Sequence, residues 1–281
     1  MSIKISGVIP VGNLMRDKNN LVRIIRLSKK FQIKILIVMD CQKSEAIQEF
    51  KLRNAKILDE HVQILESGSG NPGGARQVGL QFVDTDWVCF WDSDDIPDFQ
   101  NIISSVEKSS PSRKILIGGF TTLDIDGKIL KSNRFEIARP DKCISEFARN
   151  PGLWRFAVRF EILKNIQFKN LLMGEDQLFI AEILALGEEI EFKVENFYFY
   201  NANNPGSLTK NSKAFLDLRS ASIYMQKILK KSNERYHGII IRMYIFILLS
   251  SLKRLSMRSK ISALGHLIEH PLVVTRVILG K

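Results

Sequence analysis

Cysteine is scarce in this 281-residue chain: Cys41, Cys89 and Cys143 are the only three. An odd number at these spacings builds neither a disulfide framework nor a zinc site, and it fits a reducing compartment. No apolar run reaches the roughly 20 residues that a membrane-spanning helix requires. Ile239–Leu252 contains Arg242, and Ile261–Leu279 is broken by His266, Glu269, His270, Pro271 and Arg276. The absence of G-K-[ST] removes a P-loop. Met1 leads straight into the strand-like Ile3–Ile9, without the apolar core and small-residue cleavage site of a signal peptide. The expected location is therefore the cytoplasm.

What is present is an ordinary globular composition, 45% hydrophobic and 25% charged, which disfavours disorder. The net charge of +11 is unevenly placed. Residues 1–209 hold 27 basic and 27 acidic side chains, whereas residues 210–281 hold 14 basic and three acidic ones. A basic end attracts anionic lipid head groups or nucleic acid. The two apolar stretches, flanked by Arg235, Lys253, Arg254, Arg258 and Lys260, fit helices lying in a membrane interface. The bland alternative is a helical subdomain with a solvated basic face. No aromatic stacking pattern accompanies the charge, so nucleic acid is not expected. The expected division is a catalytic domain over 1–212 and a membrane-associating helical extension over 213–281.

Along the first half, strand and helix patterns alternate. Ile3–Val11, Gln32–Met39, Val62–Leu65 and Trp87–Trp91 read as strands; Asn19–Lys30, Ser44–Asn54 and Gly74–Val83 read as helices. This βαβαβαβ order implies a parallel sheet with right-handed crossovers. Later, Lys114–Phe120 and Thr121–Leu130 suggest a hairpin turning at Asp126-Gly127. Glu161–Leu163 and Gln177–Leu186 look helical, Ile190–Tyr200 extended, and 213–235 a basic helix.

The strand Trp87–Trp91 stops abruptly in Asp92-Ser93-Asp94-Asp95. Ligands of open parallel sheets bind at the carboxyl ends of strands. Three carboxylates within four residues repel one another unless a cation neutralises them, and hard oxygen donors select Mg²⁺, Mn²⁺ or Ca²⁺. The structural alternative is a solvated turn, with Asp95 near an N-cap and Pro97 in the following first turn. A second acidic pair, Glu175-Asp176, opens a helix; it suits the helix dipole or supplies a general base. Gly68-Ser69-Gly70-Asn71-Pro72-Gly73 matches G-x-G-x-x-G, but in the third βα unit rather than the first. His266-Leu267-Ile268-Glu269-His270 matches H-x-x-E-H, yet none of the eleven residues after it is His, Asp or Glu, so a zinc site is rejected.

With these residues assembled, the chain resembles the family 2 glycosyltransferases of the GT-A fold. Val8-Ile9-Pro10-Val11-Gly12-Asn13 is similar to the opening strand and turn, and Ile35–Asp40 to the second strand with its terminal Asp. Gly73–Leu80 resembles the A-R-N-x-G helix, with Gln77 in place of Asn. Val88–Asp95 resembles the D-x-D-D metal motif, Gly174–Phe179 the E-D motif, and Asn204–Thr209 the Ser-Leu-Thr segment. The matches occur in the family's order over roughly residues 3–210.

The resemblance implies an α/β GT-A-type fold with a mixed, mainly parallel sheet flanked by helices. It implies an inverting transferase that takes a nucleotide-diphosphate sugar, a UDP-sugar by preference, to a saccharide or lipid-linked acceptor. Asp40 and Arg76 would hold the base, and Pro10, Asp92, Ser93, Glu175 and Trp154 would contribute to donor and substrate binding. Asp94 and Asp95 would bind Mn²⁺ or Mg²⁺, and Asp176 would be the catalytic base. Cell-surface polysaccharide or lipopolysaccharide synthesis at the inner face of the membrane is the expected setting. The rivals are a sugar nucleotidyltransferase, which lacks its long Gly-rich loop here, and a degenerate transferase serving as a binding partner.

Overall fold

The computed structural model describes residues 4–124, 126–202 and 217–252. The Asn204–Thr209 segment and the apolar stretch after residue 252 lie outside the described residues.

Four parallel strands form the amino-terminal half of one sheet: β1 (Ile5–Val11), β2 (Lys34–Asp40), β3 (Val62–Ser67) and β4 (Trp87–Phe90). The strands β1, β2 and β4 are buried along nearly their whole length because both sheet faces are covered, whereas the edge strand β3 is only partly buried. Along β1 and β2, alternate side chains enter two different cores. Val8, Leu36 and Val38 point to one, and Ile9, Ile35 and Ile37 to the other. The second core holds α1 (Leu14–Phe31), α2 (Ser44–Arg53) and α4 (Phe99–Glu107). The first holds α3 (Pro72–Leu80), α5 (Pro140–Arg149) and α6 (Glu175–Ala185).

The sheet continues through β5 (Ile96–Pro97), β6 (Ile115–Leu123), β7 (Ile129–Asn133), β8 (Phe156–Arg159) and β9 (Ile190–Asn201) in the order β3-β2-β1-β4-β8-β6-β9-β5, with β7 paired to β6. β8 runs antiparallel to β4 and β6, so the sheet is mixed, as the resemblance implied.

Several expectations shift. Helix α1 starts at Leu14 rather than Asn19, because the Asn13 side chain accepts from the Arg16 N–H and caps it there. The hairpin turns at Asp126-Gly127 as expected, but β6 runs on to Leu123. Asp95 is no N-cap: Ile96–Pro97 bridge to β9, and Asp98 caps α4 by accepting from the Asn101 N–H. Glu161–Leu163 lies in a single 3-10 turn.

The carboxy-terminal helices α7 (Asp217–Leu229) and α8 (His237–Leu252) pack on α6 within the same apolar core. Ile240 and Ile245 are fully buried. The described part of the apolar run Ile239–Leu252 is therefore largely consumed by packing inside the protein, which corrects its reading as a lipid-facing helix. No helix among the described residues is long and apolar enough to cross a membrane.

Candidate active site

A cleft of about 630 Å³ opens at the carboxyl ends of β1, β2 and β4. All ten residues singled out from the sequence line it: Pro10, Asp40, Arg76, Asp92, Ser93, Asp94, Asp95, Trp154, Glu175 and Asp176. The two acidic motifs, eighty residues apart in the chain, thus face one space.

Asp40 ends β2. Its Oδ1 accepts from the Ser69 N–H and Ser69 Oγ, both at 2.9 Å, and from the Gly70 N–H at 3.2 Å. The glycine-rich segment is thereby tied to the neighbouring strand. Gly70 turns the chain at φ 67°, a conformation glycine adopts without a Cβ penalty. Asn71 then caps α3 by accepting from the Gly74 N–H at 2.8 Å. The amides of Ser69 and Gly70 are used on Asp40 rather than presented to a pyrophosphate, which argues against a dinucleotide loop.

Helix α3 lies close on the sheet because Gly79 has no side chain; a Cβ there would stand 2.5 Å from Val8. This approach delivers Arg76 into the cleft. Its Nη2 donates to Asp92 Oδ1 at 2.6 Å and its Nη1 to Glu175 Oε1 at 3.0 Å. The resemblance placed Arg76 on the base; in the structure its guanidinium joins the two acidic motifs.

The turn after β4 is held from two sides. The Asn201 N–H donates to Asp95 Oδ1 at 2.7 Å. The Tyr198 hydroxyl accepts the Asp92 N–H at 2.9 Å. Asp95 is only 2% exposed, and burial, with Asp92 and Asp94 nearby, pushes its carboxyl up to about 9. Asp94 opens more to the cleft; burial, then Asp92 and Asp17, raise it to about 6, against the pull of Arg16. The two aspartates expected to bind the metal both line the cleft but differ in surroundings, Asp95 being the more buried and accepting the Asn201 N–H.

The donor set suits a hard divalent cation. A positive ion would reverse the crowding of charge that disfavours ionised Asp94. Among the described residues, no group of three His, Cys, Asp or Glu side chains could hold an ion by itself. The remaining ligands would have to be phosphate oxygens and water, as Mg²⁺ ordinarily prefers.

Glu175 and Asp176 open α6 after Gly174, which takes φ 89°; a Cβ there would stand 3.0 Å from Ala221 on α7. Burial raises both carboxyls; Asp176 adds to the rise of Glu175 and Asp92 to that of Asp176, while Arg76 opposes both. Trp154 stacks on Tyr198 with centroids 4.7 Å apart and on Tyr200 at 5.9 Å. The edge of Phe120 supports it at 4.8 Å.

Sequence reasoning missed Arg16, Tyr200 and Asn201, which also line the cleft. Arg16 is oriented by Asp17 at 2.5 Å and stands 4.0 Å from Asp94 Oδ2. No short motif marks it. Tyr200 was visible only as the end of a strand pattern, and Asn201 lay one residue beyond it.

This sheet, with an acidic turn at its carboxyl edge facing a carboxylate pair on a helix, is of the GT-A type. The chain belongs to glycosyl transferase family 2, whose family model matches residues 8–171. It is 24% identical over 194 residues to the succinoglycan biosynthesis protein ExoO of Rhizobium meliloti (strain 1021), covering 63% of this chain and 54% of that protein. It is 25% identical over 183 residues to the poly(ribitol-phosphate) beta-N-acetylglucosaminyltransferase TarS of Staphylococcus aureus (strain Mu50 / ATCC 700699), covering 63% of this chain and 31% of TarS. The chain thus spans about half or less of the length of these relatives. The crystal structure of S. aureus TarS 1-349 in complex with UDP-GlcNAc matches at TM-score 0.67 and 17% identity, over 98% of this chain and 83% of that one. The mannosyltransferase PcManGT from Pyrobaculum calidifontis, in complex with GDP-Man and Mn²⁺, matches at TM-score 0.58 and 10% identity, over 99% and 84%. At these identities, the structural likenesses speak for the fold alone.

Proposed function

We propose that this protein transfers a sugar from a nucleotide-diphosphate donor to an acceptor hydroxyl with inversion at the anomeric carbon. The observation that carries the reading is the Arg76 bridge, which holds the acidic turn and the Glu175-Asp176 pair against one cleft. An electrophilic site and a basic site are thereby available to one bound substrate.

In this reading the cleft between Pro10, Asp40 and Arg76 receives the nucleotide. Asp94, with Asp92 beside it, would hold Mn²⁺ or Mg²⁺; Asp95 would complete the site chiefly by fixing the turn. The ion would offset negative charge on the departing diphosphate. Asp176 takes the proton of the acceptor hydroxyl, which attacks from the face opposite the nucleotide. Burial raises the Asp176 carboxyl above its ordinary value, which makes it a stronger proton acceptor than a solvated aspartate. Trp154 and Tyr200 offer flat apolar faces to a sugar ring.

A UDP-sugar is favoured, since TarS binds UDP-GlcNAc; a Mn²⁺ dependence has the parallel of PcManGT. The name of ExoO supports a role in polysaccharide synthesis, with a saccharide or lipid-linked acceptor. We further propose a cytoplasmic location at the inner face of the membrane, through the basic excess of residues 210–281. In that arrangement residues 1–212 carry the chemistry.

A thermal-shift screen of UDP-, GDP-, dTDP- and CMP-sugars with Mn²⁺ tests the donor, because a specific ligand stabilises the folded state by mass action. The donor that scores is then used with Asp176→Asn. Transfer should be abolished and donor binding retained; full transfer by that variant refutes the role of Asp176, and no response to any donor refutes the reading as a whole.

A further inference from the structure

Asn20 lies on α1, behind the acidic turn and outside the cleft-lining residues. Its side-chain nitrogen donates to the Ser93 carbonyl at 2.9 Å and to the Asp95 carbonyl at 2.8 Å. A carboxamide has two N–H donors on one nitrogen, and here both are spent on alternate carbonyls of a single turn. On the same side, Ser93 Oγ donates to Asp17 Oδ2 at 2.6 Å, and Asp17 is 2% exposed. On the other side, Asn201 donates its side-chain amide to the Asp94 carbonyl and its backbone N–H to Asp95 Oδ1.

The turn is thus gripped through its backbone by two elements that are remote in sequence. Its carboxylates would otherwise spread apart by mutual repulsion. A grip on carbonyls leaves Asp94 available to the cleft while fixing its direction. We infer that Asn20, assisted by Asn201, is a positioning residue that preorganises the turn for a divalent cation carrying a nucleoside diphosphate. This inference rests on the proposed function and names a determinant of its metal step.

Removing an outer partner of a metal ligand ordinarily costs about 10- to 100-fold in metal affinity. The test compares UDP binding by calorimetry, with Mn²⁺ and with EDTA, in wild type and Asn20→Ala, together with Mn²⁺ binding followed by electron paramagnetic resonance. The expected result is Mn²⁺-supported UDP binding weakened about tenfold or more, metal-free UDP binding unchanged, and a transfer rate partly restored by excess Mn²⁺. Asn20→Asp keeps the shape but lacks donors, so it should fail alike. Asn201→Ala, which retains the backbone N–H to Asp95, should show the same split more weakly, and it decides the matter if Asn20→Ala does not fold. Unchanged Mn²⁺-supported binding in the folded variant overturns the inference. So does equal loss of binding with and without metal, the mark of a merely structural residue. If wild type binds Mn²⁺ with no nucleoside diphosphate among UDP, GDP and dTDP, the functional reading itself falls, and the inference with it.

Discussion

Arg76 Nη1 and Glu175 Oε1 lie 3.0 Å apart with both side chains 8% exposed, so an ion pair buried in the protein joins α3 to α6 across the cleft. The same guanidinium reaches Asp92 at 2.6 Å through its other nitrogen. A fork that spans two carboxylates on different elements requires the planar geometry of arginine. Arg76→Ala leaves two crowded carboxylates without their counter-charge, which costs about 3–5 kcal/mol when a buried pair is broken. Arg76→Lys should recover only part, since one ammonium cannot serve both partners at these positions. Urea unfolding, followed by fluorescence, measures both; a loss under about 1 kcal/mol in Arg76→Ala contradicts a buried junction.

The same junction sets a pH dependence of stability. Burial, then Asp176, raise the Glu175 carboxyl above its ordinary value of 4.5 in the folded protein, against the pull of Arg76. The folded state therefore binds the proton more tightly than the unfolded state. That contribution to stability is complete below 4.5 and is lost as pH rises through the raised folded value. Wild type, without metal or nucleotide, should accordingly unfold at a lower urea concentration at pH 8 than at pH 5.5. Glu175→Gln carries no titrating proton, and its midpoint should fall less over that range. Parallel curves for the two proteins count against the shift.

Much of this arrangement was legible in the sequence, for physical reasons that differ by element. Strands β1 and β2 are buried on both faces, so their apolar runs stand out, and Asp92–Asp95 stands out because four polar residues end such a run. The pair Glu175-Asp176 was legible as an acidic helix start. What stayed hidden depends on pairing distant in sequence. β8 has four residues and its neighbours β4 and β6 are far away in the chain. β5 has two residues and exists only through β9. The contacts of Arg76 with Asp92 and Glu175, and those of Asn201 with Asp94 and Asp95, likewise follow from tertiary geometry. The apolar run of α8 looked suited to lipid because hydrophobicity alone does not say which surface covers it.

The unlike surroundings of Asp94 and Asp95 separate two mutants that the motif alone treats as equals. Asp94→Asn should leave UDP binding in EDTA near wild type and remove most of the gain on adding Mn²⁺. Asp95→Asn replaces a buried carboxylate that accepts the Asn201 N–H, so it should alter the melting temperature as well as the metal response. Differential scanning fluorimetry with UDP, in EDTA and in Mn²⁺, distinguishes them. Identical behaviour of the two variants would remove the distinction drawn here.

Trp154 provides the last test, since it lines the cleft and stacks on both Tyr198 and Tyr200. If its exposed face supports the sugar or acceptor, Trp154→Ala should raise the acceptor or donor-sugar KM about tenfold, the effect of losing about 1.4 kcal/mol. UDP affinity should change little, because the base and diphosphate do not depend on that face. Trp154→Phe keeps an aromatic face of smaller area and should fall between. Aromatic contacts of this kind are worth about 0.5–1.5 kcal/mol beyond the area they bury, so some loss of stability is expected in Trp154→Ala as well. The separation of KM from UDP affinity, measured below the melting temperature of each variant, is what a packing role alone does not produce. Equal weakening of UDP and of the complete donor would assign Trp154 to the framework instead.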